Sequence, residues 1–189
     1  LKKLNISVFQ KIIMNIIMFI DILEVILVKT KISNLIITDY CSSDKRKLRF
    51  IKEISTDPLV CQFVSNHLDE WLEDSEGTDK LLVGPAYIMA DNRKLVGFIR
   101  CAFVDSDGVL NLHYGVHPDY RKMNYGTQIL IEGSKYIFQN MKDIKAIELY
   151  IKQLNKASTK CAINANFMYD RSFNTKGDNC LINVYTMKR

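Results

Sequence analysis

The chain has 189 residues, 48% hydrophobic and 25% charged, with a formal net charge of +5 at pH 7. That is the size and composition of one folded domain with a terminal appendage and enough apolar area for a core. The 26 basic residues are interleaved with 21 acidic ones, and no zinc-finger spacing, RNP-like aromatic pattern or Arg-rich arm appears, so no nucleic acid is expected as a partner.

Cys41, Cys61, Cys101, Cys161 and Cys180 are odd in number, evenly spread and free of any C-x-x-C pair. This argues for free thiols in a reducing, cytoplasmic setting. His67, His113 and His117 have no partners at metal-ligand spacing, so no metal is expected.

Ile12 to Val28 is a nearly continuous apolar run interrupted by Asn15, Asp21 and Glu24. It is at the short end for a bilayer span. Each of the two carboxylates would cost about 2.5–3.5 kcal/mol at mid-membrane, and no small-residue cleavage site follows, so neither a span nor a secretory signal is favoured. Residues 1–33 are read as a hydrophobic, helical N-terminal extension packing on the domain or on a second copy as a homodimer. Membrane association and translated upstream sequence are the other readings, the latter because Leu stands at position 1. The folded domain is expected over 34–189.

From Asn34 onward the hydrophobic period changes often, as in an α/β domain of short elements. Leu35 to Thr38 reads as a strand. Ser42-Ser43-Asp44 starts a helix carrying Leu48, Ile51 and Ile54 at helical spacing, which Pro58 closes. A second helix is expected from Val60 to Leu72, with Phe63, His67 and Trp71 on one face. Strands follow at Ala86–Met89, Leu95–Val104 and Val109–Val116, separated by the turns Asp91-Asn92-Arg93-Lys94 and Asp105-Ser106-Asp107-Gly108. A helix from Tyr125 to Met141 with Ile129, Leu130, Gly133, Ile137 and Met141 on its apolar face leads to a strand at Ala146–Ile151. A helical crossover makes the flanking strands parallel. A short helix from Asn155 to Ala165 precedes strands at Phe167–Phe173 and Cys180–Met187.

The informative stretch is Val116-His117-Pro118-Asp119-Tyr120-Arg121-Lys122-Met123-Asn124-Tyr125-Gly126-Thr127, a strand running through a short loop into a helix. Such a junction aims unpaired backbone N–H groups and the positive end of a helix dipole at one spot, which captures phosphate oxygens. Arg121 and Lys122 add charge, and Gly126 leaves room for an anion to approach the backbone.

This stretch resembles the acetyl-CoA signature of the Gcn5-related N-acetyltransferases (GNAT): Val116, Pro118, Arg121 and Gly126 match in place. Asn124 stands where the first Gly of the signature is expected, and Asn is the non-glycine residue that best tolerates left-handed φ. After the next strand, Asn155-Lys156-Ala157-Ser158 with Asn166-Phe167 eight residues on resembles the family's N-x-x-S pattern ending in Gly-Phe, again with Asn for Gly. The ribosomal-protein-type N-acetyltransferases are the members nearest in motif.

The resemblance implies an α/β (α+β) fold with a mixed, mostly antiparallel sheet of about seven strands, helices on both faces and a cofactor cleft where the fourth and fifth strands splay. It implies transfer of acetyl from acetyl-CoA to a primary amine by direct attack on the thioester. Tyr114, Gly115 and Val116 would lie along the pantetheine, and the diphosphate would sit at Arg121, Lys122, Met123, Asn124, Tyr125, Gly126 and Thr127, with Asn155 a further cofactor contact that also caps its helix.

Many relatives carry a Tyr as the thiolate's acid where this chain has Ala162. Ser158, which the ribosomal-protein-type members also carry, is the substitute. For the base, His113 and His117 are the side chains whose unperturbed pKa lies nearest neutrality, with His113, in the fourth strand, the candidate; an ordered water would serve equally. Alternation puts His113 and Gly115 on one face of their strand and Tyr114 and Val116 on the other.

The acceptor is a small-molecule amine or a protein N-terminus. The acidic stretch Asp69, Glu70, Glu73, Asp74, Glu76 and Asp79 beside Trp71 would attract a cationic amine, and a solvated helix surface explains it as well. The competing reading is a module of the same fold that binds or senses acyl-CoA without turnover, because the Tyr and two glycines are missing.

Overall fold

The computed structural model describes residues 35–39, 44–63, 86–91, 94–175 and 180–189. They lie within the compact unit Asn34–Arg189. The elements are β1 (Ile36–Asp39), α1 (Lys45–Ser55), α2 (Pro58–Phe63), β2 (Ala86–Asp91), β3 (Lys94–Val104), β4 (Val109–Val116), a 3-10 turn (Pro118–Tyr120), α3 (Tyr125–Asn140), β5 (Ala146–Lys152), α4 (Lys156–Asn164), β6 (Met168–Asn174) and β7 (Leu181–Lys188). The expectations for residues 1–33, for the helix beyond Phe63 with its acidic stretch, and for the middle of the last hairpin turn lie outside the described residues.

Asp44 caps α1 by accepting the amides of Arg46 and Lys47 at 3.0 and 3.2 Å, the start signal read from Ser42-Ser43-Asp44. Pro58 has a different role from the one expected. Asp57 accepts the amides of Leu59 and Val60, both at 3.1 Å, so it is an N-cap and Pro58 opens α2 at the first helical position. There its missing N–H is no loss.

The described strands form one sheet in the order β1-β2-β3-β4-β5-β7-β6. All neighbours are antiparallel except β4 and β5, which α3 connects as a crossover. α3 covers the face carrying Ile99 of β3 and Tyr114 and Val116 of β4, since Cβ atoms built on Gly126 and Gly133 would meet those side chains. Between helix and sheet Ile99, Leu110, Ile129, Leu130, Ile137 and Ile147 are fully buried. Burial of such a side chain contributes about 1.5–3 kcal/mol, so this layer anchors α3, and with it the turn that enters it.

The parallel ladder covers only Val109–Asn111 against Ala146–Glu148, although β4 continues to Val116 and β5 to Lys152. Beyond Asn111 the two strands part. Opposite the fork the β3–β4 register slips between Cys101 and Phe103, which face Leu112 and Asn111. An extra residue in one strand bends the pair and sharpens its twist, which turns β4 away from β5 at this level.

Candidate active site

The chain leaves β4 at Val116 and makes a tight turn before α3. His117 Nδ1 accepts the Asp119 amide at 3.3 Å, capping the 3-10 turn, and Arg121 is extended with φ −66° and ψ 158°. Lys122 and Asn124 then both take left-handed backbone, with φ of 61° and 63°. Asn124 thus adopts the conformation that the glycine of the family signature supplies. Asn166, the other Asn in a glycine position, does the same at φ 67°. Lys122 has no such tolerance and is held there at a cost of roughly 1–2 kcal/mol, strain that is characteristic of ligand clamps.

The first backbone bond of α3 runs from Gln128 N–H to Asn124 O at 3.2 Å, and the Asn124 side chain makes no capping bond. The amides from Lys122 to Thr127 therefore precede the helical ladder and cluster at the positive end of a 16-residue helix. Amides so arranged have the geometry that can take up an anion.

The side chains around the cradle are tied back to other elements, a feature sequence reading missed. Arg121 Nη2 bonds Asp57 Oδ1 at 2.7 Å, both side chains being partly buried, so its guanidinium serves the α1–α2 junction and does not stand free at the mouth of the turn. His117 Nε2 lies 3.1 Å from Glu53 Oε2. Because Nδ1 is the acceptor for Asp119, the proton sits on Nε2 and is donated to Glu53. Tyr125 donates its hydroxyl to Asp91 Oδ2 at 2.7 Å, and that bond, with burial, pushes its pKa up to about 12. Phe50, His117, Tyr120 and Tyr125 form a run of ring contacts at 5.3, 5.8 and 6.0 Å. Lys122 and Met123 are exposed, leaving Lys122 as the cation of the turn that faces solvent.

The Asp57 contact has a measurable consequence. Its bond to Arg121, helped by the Val60 and Leu59 amides, holds its carboxyl below the ordinary value. A carboxylate with a lowered folded-state pKa adds stability above its unfolded pKa and loses it as pH falls through the folded value. Asp57→Asn is expected to cost about 2 kcal/mol at pH 7, and the gap to the parent chain should shrink below about pH 4. Urea unfolding at pH 7 and pH 3 checks this; an equal gap at both would contradict the ion pair.

Three parts of the cleft meet at Gly126. A Cβ there would lie 2.8 Å from Cys161 Sγ, 3.6 Å from Val116 Cγ2 and 3.7 Å from Tyr114 Cε2. Gly126 is buried, and the space its missing Cβ leaves is filled by Cys161 of α4; close helix packing explains this glycine more directly than room for an anion. Burial, then the neighbouring Cys161, holds the Tyr114 phenol far above its ordinary pKa. Asn155 caps α4, its Oδ1 accepting the Ser158 amide at 3.1 Å. Gly115 faces β3, where a Cβ would come within 2.4 Å of Phe98 Cε1.

Ser158 lies near Tyr114, on the α3 side of β4. His113, pairing in register with Arg100 and exposed, is on the opposite face. The two candidate catalytic side chains flank the strand.

At the last ladder pair before the fork, on the His113 face, Asn111 and Glu148 are buried. Arg171 grips Glu148 with two bonds of 2.8 and 3.1 Å, across the irregular Tyr169–Arg171 stretch of β6. Burial, then the neighbouring Glu148, holds the Tyr150 phenol above its ordinary pKa, and its ring makes edge-to-face contacts with Phe103 and Phe173 at 6.4 and 5.6 Å. Sequence reading named none of these, since the partners are far apart in the chain. Asp57 did leave a signal, because Asp-Pro is a helix-start pair; Tyr114 left one in its strand parity.

A cavity of about 900 Å³ runs along the later turns of α3 and the start of β6, lined by Ser134, Phe138, Asn166 and Met168 and reaching Glu148. Among the described residues no helix is long and apolar enough to cross a membrane.

The fold and this site have known counterparts. No curated protein sequence matches the chain. The spermidine N-acetyltransferase from Vibrio cholerae, solved with CoA and spermine, superimposes with a TM-score of 0.65 at 14% identity, over 83% of this chain and 96% of that one. RimL, a ribosomal L7/L12 alpha-N-protein acetyltransferase solved with coenzyme A, gives 0.66 at 13% identity over 82% and 95%. The aminoglycoside acetyltransferase AAC(6')-Ib with coenzyme A and kanamycin gives 0.68 at 13% identity over 82% and 95%. These similarities establish the shared fold. The acetyltransferase (GNAT) family pattern matches residues 48–165, more than half the chain and the whole span from α1 through the fork and cradle to the end of α4, and the protein is therefore a member of the acetyltransferase (GNAT) family, whose enzymes use acetyl-CoA as acyl donor.

Proposed function

We propose that this chain transfers the acetyl group of acetyl-CoA to a primary amine, by direct attack and without an acyl-enzyme. The observation that carries the reading is the cluster of amides from Lys122 to Thr127 at the start of α3, beside a fork between β4 and β5. The residues fit the donor: the amides and exposed Lys122 suit a diphosphate, and the parted strand edges suit an amide-bearing pantetheine arm, which can pair as an added strand does. When bound, acetyl-CoA supplies an acetyl group activated as a thioester.

Tyr114, Gly115 and Val116 line the strand edge, and Asn155 and Ser158 close the α4 side. Ser158 donates its hydroxyl into the cleft in place of the absent α4 phenol. His113, on the opposite face, is placed to hold the amine's proton, directly or through a water. Acid and base on opposite sides of one strand suit an acceptor that approaches from the face the cofactor does not occupy.

The acceptor is a small amine or a protein N-terminus, and the setting is cytoplasmic. Residues 1–33 are proposed as an extension of the catalytic domain, 34–189, that packs on it or joins two copies.

The test is a thermal-shift titration with acetyl-CoA followed by thiol release against spermidine, an aminoglycoside and a peptide with a free N-terminus. Stabilisation by acetyl-CoA and release with at least one amine are expected. Stabilisation without release would identify a sensing module, and no stabilisation would end the proposal.

A further inference from the structure

The last ladder pair before the fork joins Asn111 to Glu148. Two residues further along each strand, on the same face by alternation, stand His113 of β4 and Tyr150 of β5. They are the first side chains on the two banks of the fork. The Tyr150 ring lies edge-to-face with Phe103 of β3 at 6.4 Å and with Phe173 of β6 at 5.6 Å. Phe103, Tyr150 and Phe173 keep 43, 39 and 39% of their surface exposed. Rings from three strands thus form one apolar shelf, open to solvent, beside the candidate base.

The floor of this face is polar. Phe103 pairs in register with Asn111, and Asn111 with Glu148, both buried. Asn111 Nδ2 has no hydrogen-bond partner among the described residues, and a carbonyl or hydroxyl of a bound molecule would satisfy it. An apolar wall with few convergent polar groups is the usual make-up of a small-molecule site.

The charges on this face narrow what can bind. Glu148 is the one buried carboxylate among the described residues; Arg171 already holds it through two bonds and holds Asp170 as well. Asp105, just past β3, accepts the amides of Asp107 and Val109. Two more cations stand on the same face: Arg100, buried and paired in register with His113, and Lys152, two residues beyond Tyr150. A molecule with several ammonium groups would meet carboxylates already engaged and cations that repel it. An apolar body with a single amine would instead cover rings that now face water.

We propose that Phe103, Tyr150 and Phe173 seat the body of the acceptor, and that the acceptor is a primary amine on an aromatic or branched apolar group without a second cation. The inference rests on the acetyl-transfer reading above. A free arylalkylamine and a peptide whose first residue is aromatic both carry this chemistry.

Thiol release from acetyl-CoA is measured with phenethylamine, ethylamine and spermidine. The kcat/KM for phenethylamine is expected to exceed both others at least about tenfold. Phe173 lies on an edge strand whose residues are all exposed, so Phe173→Ala spares the core. It is expected to lower the phenethylamine-to-ethylamine ratio about fivefold or more, and a ratio of two substrates on one preparation does not depend on the folded fraction. A Phe-Ala dipeptide separates the sources: used better than phenethylamine, it assigns a peptide N-terminus, and used less well, a free amine. Spermidine used as well as phenethylamine, or an unchanged ratio in Phe173→Ala, would overturn the seat. Should no amine release thiol, acetyl transfer fails, and calorimetric titration of phenethylamine and spermidine with coenzyme A present decides the seat alone. Tighter phenethylamine binding that weakens in Phe173→Ala upholds it; equal or tighter spermidine binding, or no effect of the substitution, overturns it.

Discussion

Gly126→Asp is expected to weaken acetyl-CoA binding at least about 100-fold, which corresponds to about 2.8 kcal/mol. The substitution puts a carboxylate in the first turn of α3, among the amides that precede the Gln128 bond. A negative side chain in a first helical turn is compatible with the helix dipole, but the Gly126 Cβ would point at Cys161 Sγ, Val116 and Tyr114. Stability should therefore fall as well, and affinity is compared at a temperature where thermal unfolding shows the variant folded. The same carboxylate opposes a phosphate in the cradle: one pair of like charges 5 Å apart at an effective dielectric of 20 repels by about 3 kcal/mol.

Gly126→Ala separates charge from bulk. Its Cβ would approach Cys161 Sγ at 2.8 Å, a side-chain atom that can shift. Ala should therefore cost about 1 kcal/mol of stability and less than about tenfold in affinity. Calorimetric titration of both variants decides the matter; unchanged affinity in Gly126→Asp would remove the cradle from this turn.

Gly97→Ala is expected to be the most damaging single methyl in the sheet. Its Cβ would fall 2.4 Å from the Gly115 carbonyl oxygen and 2.4 Å from Ile129 Cδ1. The first obstacle is backbone that cannot rotate away, and the second is the buried anchor of α3. Either β3 and β4 separate beside the fork or α3 lifts from the sheet. A loss of about 3 kcal/mol is expected, seen as a fall in Tm of roughly 6–12 °C for a domain of this size. Loss of acetyl-CoA affinity should accompany it, because Gly97 pairs with Val116 at the entry to the turn. A Tm within about 2 °C of the parent would show that the strands yield more easily than this packing allows.

Much of this architecture is written in local sequence. Periodicity and turn chemistry located each described strand and helix to within a few residues, because hydrophobic spacing and Asp/Asn/Gly turns act over single elements. Reading Asn124 and Asn166 as substitutes for left-handed glycines likewise needed only knowledge of what each side chain does to its own φ. Both take that conformation. The Pro58 reading failed locally: Asp57 before it makes the pair a start signal, and a prolyl residue is as suited to the first helical position as to a terminus.

The site divides along the same line. The strand–turn–helix junction is a property of contiguous backbone and was legible from residues 116–127 alone, while the family resemblance drew also on Asn155–Ser158 and Asn166-Phe167. Which side chains surround it was not. That Arg121 is tied to Asp57, that Cys161 and not an open space lies beside Gly126, that the phenol near Ser158 comes from β4, and that Glu148 at the fork is held by Arg171 all depend on elements distant in the chain meeting across the sheet and between helices. Sequence by itself determined the backbone chemistry of the turn that enters α3, because dihedral preference and hydrogen-bond exposure are local. Only the tertiary structure decided which charges are already neutralised and which side chains are buried together, because pairing and burial are set by contacts between distant residues.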